Sequence, residues 1–172
     1  MVPVNRLNIT QYPMPGPTVP PGGIYAGLFR RGDGTFHWTI IISQDAGHVV
    51  NKFHATEDSR GWRFEYSLHT IVRSVSACAV VKIGTLSSNR LVGDIHTLLK
   101  DIPMQTPVAD LPQSFSCRIW FKEAVRVLSN NGIIRCPAVS RLEAELKGIA
   151  REQEVLIGLG YDYKIFVSDY SQ

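Results

Sequence analysis

The sequence predicts an α+β protein in which an antiparallel sheet packs against helices. Short segments rich in Val, Ile, Thr and aromatic residues, separated by turn residues, dominate the first hundred positions. Segments with helical spacing of apolar residues dominate the remainder. Strands that precede helices, instead of alternating with them, are typical of α+β folds.

The composition is that of an ordinary globular chain. Its 172 residues are 44% hydrophobic and 19% charged, and the net charge of +3 is too small to predict a nucleic-acid partner. No apolar run reaches the roughly 18 residues of a membrane-spanning helix. The three cysteines are an odd number, and their spacing matches neither a zinc finger nor a disulfide framework. We therefore expect no metal, no cofactor and a reducing, cytoplasmic environment.

The first 22 residues differ in composition from the rest of the chain. Six of the ten prolines lie in this segment, which lacks the apolar core of a secretion signal. We expect an extended or polyproline-like arm over residues 1–22, without a partner protein of its own. Residues 23–172 are expected to form a single α+β domain.

Five strands are predicted in the first half of that domain. Turn residues at positions 44–47 separate the second strand from the third. The fifth is almost continuously apolar, which is typical of a strand buried on both faces. The predicted strands cover residues 24–29, 36–43, 47–54, 62–66 and 75–86.

Helices are predicted over residues 91–99, over residues 117–131 and from about residue 140 onwards. Ser116 is a favourable N-cap for the second, and Asn131-Gly132 is a favourable end. Ser140 and Glu143 have the spacing of a capping box for the third. A closing strand is predicted over residues 161–167.

Cys117 is the candidate nucleophile because it is predicted at the first position of its helix. Unpaired N–H groups and the positive end of the helix dipole lie there, and both favour a thiolate. The same N–H groups can stabilise the oxyanion of an acyl-transfer reaction. Burial as a small apolar residue is the competing interpretation, and it is preferred for Cys78 and Cys136.

Two histidines are candidates for the base. If the second and third strands are joined by a two-residue loop at positions 45–46, His37 and His54 lie directly opposite each other on one face. One imidazole would then orient the other. The two histidines and Cys117 could alternatively supply three zinc ligands, although no short ligand-pair motif supports a metal. The remaining histidines, His48, His69 and His96, are interpreted as surface residues.

This order of elements resembles the circularly permuted papain-like families. In these families a strand with a histidine, then a strand with a polar partner, precede a cysteine at a helix start. The NlpC-like amidases, the lecithin:retinol acyltransferase-like enzymes and the deSUMOylating isopeptidases are similar, as are small fungal proteins with a His-Trp strand and a Cys-x-x-Trp helix. The matching segments are Phe36-His37-Trp38, Val50-Asn-Lys-Phe-His54 and Ser116-Cys117-Arg-Ile-Trp-Phe121.

The residues and the resemblance together predict a thiol-dependent amidase, peptidase or acyltransferase acting on a small molecule or peptide. His37 would take the proton of Cys117, His54 would orient His37, and a thioester would form on the sulfur. Gln113 is a further candidate for the oxyanion site. Trp38 and Trp120 are candidates for the pocket wall or, alternatively, for the core. The alternative function is a non-catalytic papain-like domain that binds a small molecule or a protein.

Overall fold

In the computed structural model, which describes residues 16–45 and 47–172, a six-stranded sheet packs against three helices. The strand order is β4-β3-β2-β1-β5-β6, and all neighbours are antiparallel except β5 and β6. The predicted α+β class is confirmed, with one parallel pair at the edge of the sheet. The strands are β1 (Gly23–Arg30), β2 (Phe36–Ile42), β3 (Val49–Asp58), β4 (Gly61–Thr70), β5 (Ala77–Thr85) and β6 (Lys164–Val167).

The helices follow the order expected from the sequence. They are α1 (Val92–Lys100), α2 (Cys117–Asn130) and α3 (Val139–Gly158), with short 3-10 turns at Ile71–Arg73 and Val108–Asp110. Within the described part of the chain, no helix is long and apolar enough to cross a membrane.

The sheet is apolar on both faces at its centre. In β1, Ile24, Ala26 and Leu28 belong to the core under the helices, whereas Tyr25 and Phe29 belong to a second core on the other face. This division follows from the alternation of side chains along a strand. The central strand is therefore covered on both sides, and β5 is buried on both faces as predicted.

Part of the predicted N-terminal arm contributes to that second core. Residues 1–15 lie outside the described residues, but residues 16–22 pack on the domain. Val19 is fully buried, and its N–H donates to the carbonyl of Gly47. Tyr163 and Tyr25 donate their hydroxyl groups to the carbonyls of Pro17 and Pro20. This end of the arm is therefore held by hydrogen bonds and burial.

The predicted register between β2 and β3 is wrong by two residues. A two-residue loop would pair Ile42 with Val49, but the structure pairs Ile42 with Asn51. The connection runs from residue 43 to residue 48, because the backbone at Gly47 leaves the strand ladder to bind Val19. Gly47 has a φ of +72°, and a Cβ there would lie 2.0 Å from the carbonyl oxygen of Val19.

The predicted start of α2 is confirmed, and its end lies one residue before the predicted one. Ser116 is the N-cap, and its hydroxyl accepts the N–H of Ile119 at 3.3 Å. The helix ends at Asn130, and Gly132 follows with a φ of +66°. Cys117 is thus the first helical residue. The capping box predicted for α3 is absent, since Ala138 occupies the N-cap position and Glu143 binds side chains of α2.

A buried ion cluster joins α2 to α3 and to the 3-10 turn at Val108–Asp110. The ammonium group of Lys122, which is 3% exposed, contacts Asp110 and lies 3.0 Å from Glu143. Arg126 lies 2.7 Å from Asp110, and Arg118 contacts Glu143. Burial raises the pKa of each carboxyl group, but the hydrogen bonds from these cations outweigh it, so both pKa values lie below their ordinary range.

We expect Lys122→Met to lower the free energy of unfolding by about 3 kcal/mol, because it leaves the buried carboxylate of Asp110 and the partly buried carboxylate of Glu143 with one cation fewer. Lys100→Met, which breaks an exposed ion pair with Asp101, should cost less than about 1 kcal/mol. Urea denaturation of both variants measures the difference. Equal losses in the two variants would contradict a stabilising role for the buried cluster.

Candidate functional site

The site is centred on Cys117 at the N-terminal end of α2. The residue is 2% exposed, and its thiol donates to the carbonyl of Phe36 at 3.9 Å. The guanidinium group of Arg31 donates to Sγ at 3.6 Å. Because the first N–H groups of a helix have no partner within it, the sulfur lies beside both a permanent cation and unpaired donors.

A cavity of about 410 Å³ opens beside this sulfur. Phe36 and Trp38 supply apolar wall, and Ser116 and Cys117 supply the helix end. The turn between β1 and β2 closes one side, and α3 contributes side chains to another. The remaining lining residues are Arg31, Asp33, Gly34, Thr35, Arg118, Lys147 and Arg151.

Arg31 links Cys117 to the first candidate histidine. One of its terminal nitrogens, Nη2, lies 2.9 Å from Nδ1 of His37 and also donates to the sulfur. Within the described residues, the hydrogen-bond partners of Sγ are Arg31 and Phe36, so His37 does not bond the sulfur directly. The structure therefore places a guanidinium between the candidate base and the candidate nucleophile.

The two candidate histidines are in contact in spite of the shifted register. Nε2 of His37 lies 2.8 Å from Nδ1 of His54, and the ring planes are at 89° to each other. A shift of two residues keeps both side chains on one face and makes them diagonal neighbours, which aromatic rings can bridge.

The chain of contacts assigns the proton positions on both rings. Arginine has only donors, so Nδ1 of His37 is an acceptor and its proton is on Nε2. His37 then donates to Nδ1 of His54, which leaves the second proton of that pair on Nε2 of His54. This atom lies 3.4 Å from Oε1 of Glu65, outside hydrogen-bond geometry, so that contact is electrostatic. Arg63 binds the other carboxylate oxygen at 2.7 Å.

Both imidazoles are neutral at physiological pH. Burial, together with the charges of His54, Arg31 and Lys52, lowers the pKa of His37 to about 3. Burial and Lys52 lower the pKa of His54 to about 4, against an opposing effect of Glu65. In this arrangement His37 is a weak base, and the lone pair on its Nδ1 already accepts a hydrogen bond from Arg31.

Of the other residues predicted to form the pocket, only one lines the cavity. Trp38 lines the cavity, but Trp120 is fully buried in the core under the sheet, where its ring lies 6.0 Å from that of Phe64. Gln113 is exposed, and its side-chain oxygen accepts from Arg118 at 3.0 Å. Neither Gln113 nor Trp120 lines the cavity.

Two histidines interpreted as surface residues are in fact packed. His69 lies on β4 with its ring edge against Phe29, and His96 lies on α1 against Phe64 and Tyr66. His48 is exposed, as expected. Among residues 16–45 and 47–172, no three His, Cys, Asp or Glu side chains are grouped so as to hold a metal ion, the trio of His37, His54 and Cys117 included.

The sequence interpretation missed the charged residues around the thiol. Arg31 is brought to His37 by the β1–β2 hairpin, whose register pairs Arg30 with Phe36 and whose turn begins at Arg31. The sequence predicts a turn at Gly32-Asp33-Gly34 between the first two strands, and the position of Arg31 directly before this turn was the signal that could have placed it beside His37. Glu65 reaches the site because β4 pairs it directly with His54.

The chain belongs to DUF6540, a protein family of unknown function, whose family model matches residues 24–135. The matched span begins in β1 and ends shortly after α2, so it includes Cys117, Arg31 and both candidate histidines, but not α3. No curated protein and no solved structure matches the chain.

We expect the free energy of unfolding to fall as the pH is lowered from about 6.5 towards 5. Unfolded histidines bind protons near their ordinary pKa of 6.5, whereas folded His37 and His54 bind them only near 3 and 4. The contribution of these two histidines to the free energy of unfolding is therefore fully present above about pH 6.5, and it is lost as the pH falls towards their folded pKa values. Urea denaturation at a series of pH values measures the slope.

The double variant His37→Gln/His54→Gln should have a flatter slope over the same pH range, because two of the neutral, buried imidazoles are gone. The range above pH 5 lies above the ordinary carboxyl pKa values, so carboxylate titration contributes little. An unchanged slope in the double variant would show that these two imidazoles are not held neutral by the fold.

Proposed function

We propose that the protein is a thiol-dependent amidase, peptidase or acyltransferase with Cys117 as its nucleophile. The observation that carries this proposal is the position of Sγ, at the first turn of α2 and in the wall of a cavity, in contact with Arg31. We also propose that the protein is related to the circularly permuted papain-like families. The order of its elements supports this, because the two strands that carry histidines precede the helix that begins with the cysteine.

The helix end provides the groups that acyl transfer requires. The backbone N–H of Cys117 has no partner within the helix and can donate to an oxyanion that forms on a carbonyl attacked by Sγ. Positive charge from Arg31 and from the helix dipole stabilises a thiolate at the same place. The backbone N–H and the helix dipole are held in place by α2 before substrate arrives, whereas Arg31 has to move before His37 can act.

The proton of Cys117 passes to His37 in this proposal. Substrate displaces the guanidinium of Arg31 from Nδ1 of His37, and the freed lone pair takes the thiol proton. The thiolate forms a C–S bond to the acyl carbon, and the carbonyl electron pair moves to oxygen. Collapse of this intermediate expels the leaving group, which takes the proton from His37, and a thioester remains until water or another acceptor cleaves it.

His54 and Glu65 act through His37. Nδ1 of His54 accepts a hydrogen bond from the N–H at Nε2 of His37, and this bond orients the His37 ring. Glu65 stabilises positive charge that develops on the two imidazoles. They are positioning residues, because in this mechanism both act only through His37.

A non-catalytic binding domain is the second candidate, and the occupied lone pair of His37 favours it. The base is neutral with a pKa of about 3, and Arg31 separates it from the sulfur. In this alternative Arg31 remains in place when a ligand enters the cavity, and Cys117 only lines the wall.

Alkylation by iodoacetamide separates the two functions. We expect native Cys117 to react faster than Cys78 and Cys136, because burial raises the pKa of both other thiols and neither lines this cavity. Peptide mapping by mass spectrometry after timed labelling gives the three rates. Equal rates at all three cysteines would contradict the nucleophile assignment.

Cys117→Ala should remove all rapid labelling and cost only about 1 kcal/mol of stability, because one buried heavy atom is lost. Thermal unfolding measures this cost. A loss of several kcal/mol would instead identify Cys117 as a packing residue.

Arg31→Gln tests the cation beside the sulfur. We expect the alkylation rate of Cys117 at pH 7 to fall severalfold, because a neutral amide stabilises the thiolate less than a guanidinium does. Arg90→Gln, at an exposed arginine that is not among the lining residues, is the matched control. The same iodoacetamide assay gives both rates, and an unchanged rate in the Arg31 variant would remove this residue from the site.

A further inference from the structure

We propose that the cavity beside Cys117 selects acyl substrates that carry an anionic group, a carboxylate or a phosphate, bound by Lys147 and Arg151 of α3. This inference rests on the proposed function of Cys117 and names the substrate class of the same site. The anionic group would lie on the α3 side of the cavity, with the acyl carbon at the sulfur.

The charge of the cavity wall is strongly unbalanced. Four cations line it, and Asp33 is the one carboxylate among its lining residues. Asp33 is engaged within its own turn, where one oxygen accepts the N–H of Thr35 at 2.9 Å and its hydroxyl at 2.6 Å. These bonds hold Asp33 to its own turn, and it forms no ion pair with Lys147 or Arg151.

The four cations are not equivalent. Arg118 is neutralised by Glu143 and also donates to Gln113. Arg31 is engaged with His37 and the sulfur of Cys117. These contacts leave Lys147 and Arg151 as the cations available to a ligand.

Lys147 and Arg151 have no carboxylate within ion-pair distance among the described residues. Residues 1–15 and 46 include neither Asp nor Glu, so they cannot supply one. The two cations are four residues apart, a spacing that places them on the same face of α3. Like charges at this spacing repel each other, and a bound anion relieves that repulsion.

Part of the remaining cavity wall is apolar and can pack against an apolar part of such a substrate. Trp38 and Phe36 are apolar and lie in the same lining as the cations and the sulfur. A volume of about 410 Å³ is within the range of small-molecule sites. The cavity therefore combines an anion-binding side, an apolar side and a nucleophile.

Two alkylating reagents with the same leaving group test this inference. In both, the thiolate of Cys117 forms an S–CH2 bond and displaces iodide, but iodoacetate carries a carboxylate and iodoacetamide does not. We expect the ratio of the iodoacetate rate to the iodoacetamide rate to be at least about tenfold higher for Cys117 than for 2-mercaptoethanol, because a cationic cavity concentrates anions. Timed labelling of the full chain, with peptide mapping, gives the rates.

The variant Lys147→Gln/Arg151→Gln should bring this ratio close to that of 2-mercaptoethanol, and the ratio cancels any change in thiolate stability because that change affects both reagents alike. The control Arg90→Gln/Arg141→Gln removes the same charge from exposed residues outside the cavity, one of them also on α3, and should keep the high ratio. Far-UV circular dichroism establishes that both double variants are folded.

The two hypotheses fail in different ways. A ratio for Cys117 equal to that of 2-mercaptoethanol, with rapid iodoacetamide labelling, overturns anion selection but leaves the nucleophile. A high ratio that both double variants abolish equally also overturns it, because net charge alone would then be responsible. No rapid labelling of Cys117 by either reagent overturns the proposed function and this inference with it.

Protection experiments distinguish the two anions. At constant ionic strength, inorganic phosphate that slows iodoacetamide labelling of Cys117 more than acetate does would support a phosphate-bearing substrate. Stronger protection by acetate would support a carboxylate. Protection by either anion should be lost in Lys147→Gln/Arg151→Gln, and protection that persists in that variant would place the anion elsewhere and contradict the assignment.

Discussion

The buried ammonium group of Lys122 holds together the segments that surround α2. It contacts Asp110 of a 3-10 turn and Glu143 of α3, so three separate parts of the chain meet at one charge. The buried carboxylate of Asp110 and the partly buried one of Glu143 would be strongly unfavourable without this cation, and the helix cannot shift without separating the charges. Cys117 lies five residues earlier on the same helix. Its position under the β1–β2 hairpin therefore depends on this ion cluster.

The candidate site has a positive charge at one end, beside Cys117, and a negative charge at the other, beside His54. Arg31 supplies a permanent cation beside the sulfur, Glu65 supplies a carboxylate at the far end, and two neutral imidazoles connect them. A proton gained by His37 would lie close to Arg31 and is therefore disfavoured until that guanidinium moves. In the proposed mechanism, a substrate that displaces Arg31 from Nδ1 of His37 removes this obstacle.

The local features of the sequence were predicted well, and the non-local ones were not. The boundaries of α2 depend on Ser116, on helical spacing and on Asn131-Gly132, which are all read within a few residues. The register of β2 and β3 depends on the contact of Gly47 with Val19, which no local pattern shows. The histidine contact was anticipated in spite of this error, because a shift of two residues conserves the face of a strand. Lys147 and Arg151 reach the cavity only because α3 packs beside α2.

The most direct test of the central claim is the covalent intermediate. Native protein incubated with p-nitrophenyl acetate should release a burst of p-nitrophenolate and gain one acetyl group, located on Cys117 by peptide mapping after acid quenching. Cys117→Ala should show neither the burst nor the modification. Acetylation confined to lysine side chains, or equal acetylation of Cys78 and Cys136, would contradict the account of Cys117 as an acyl-accepting nucleophile.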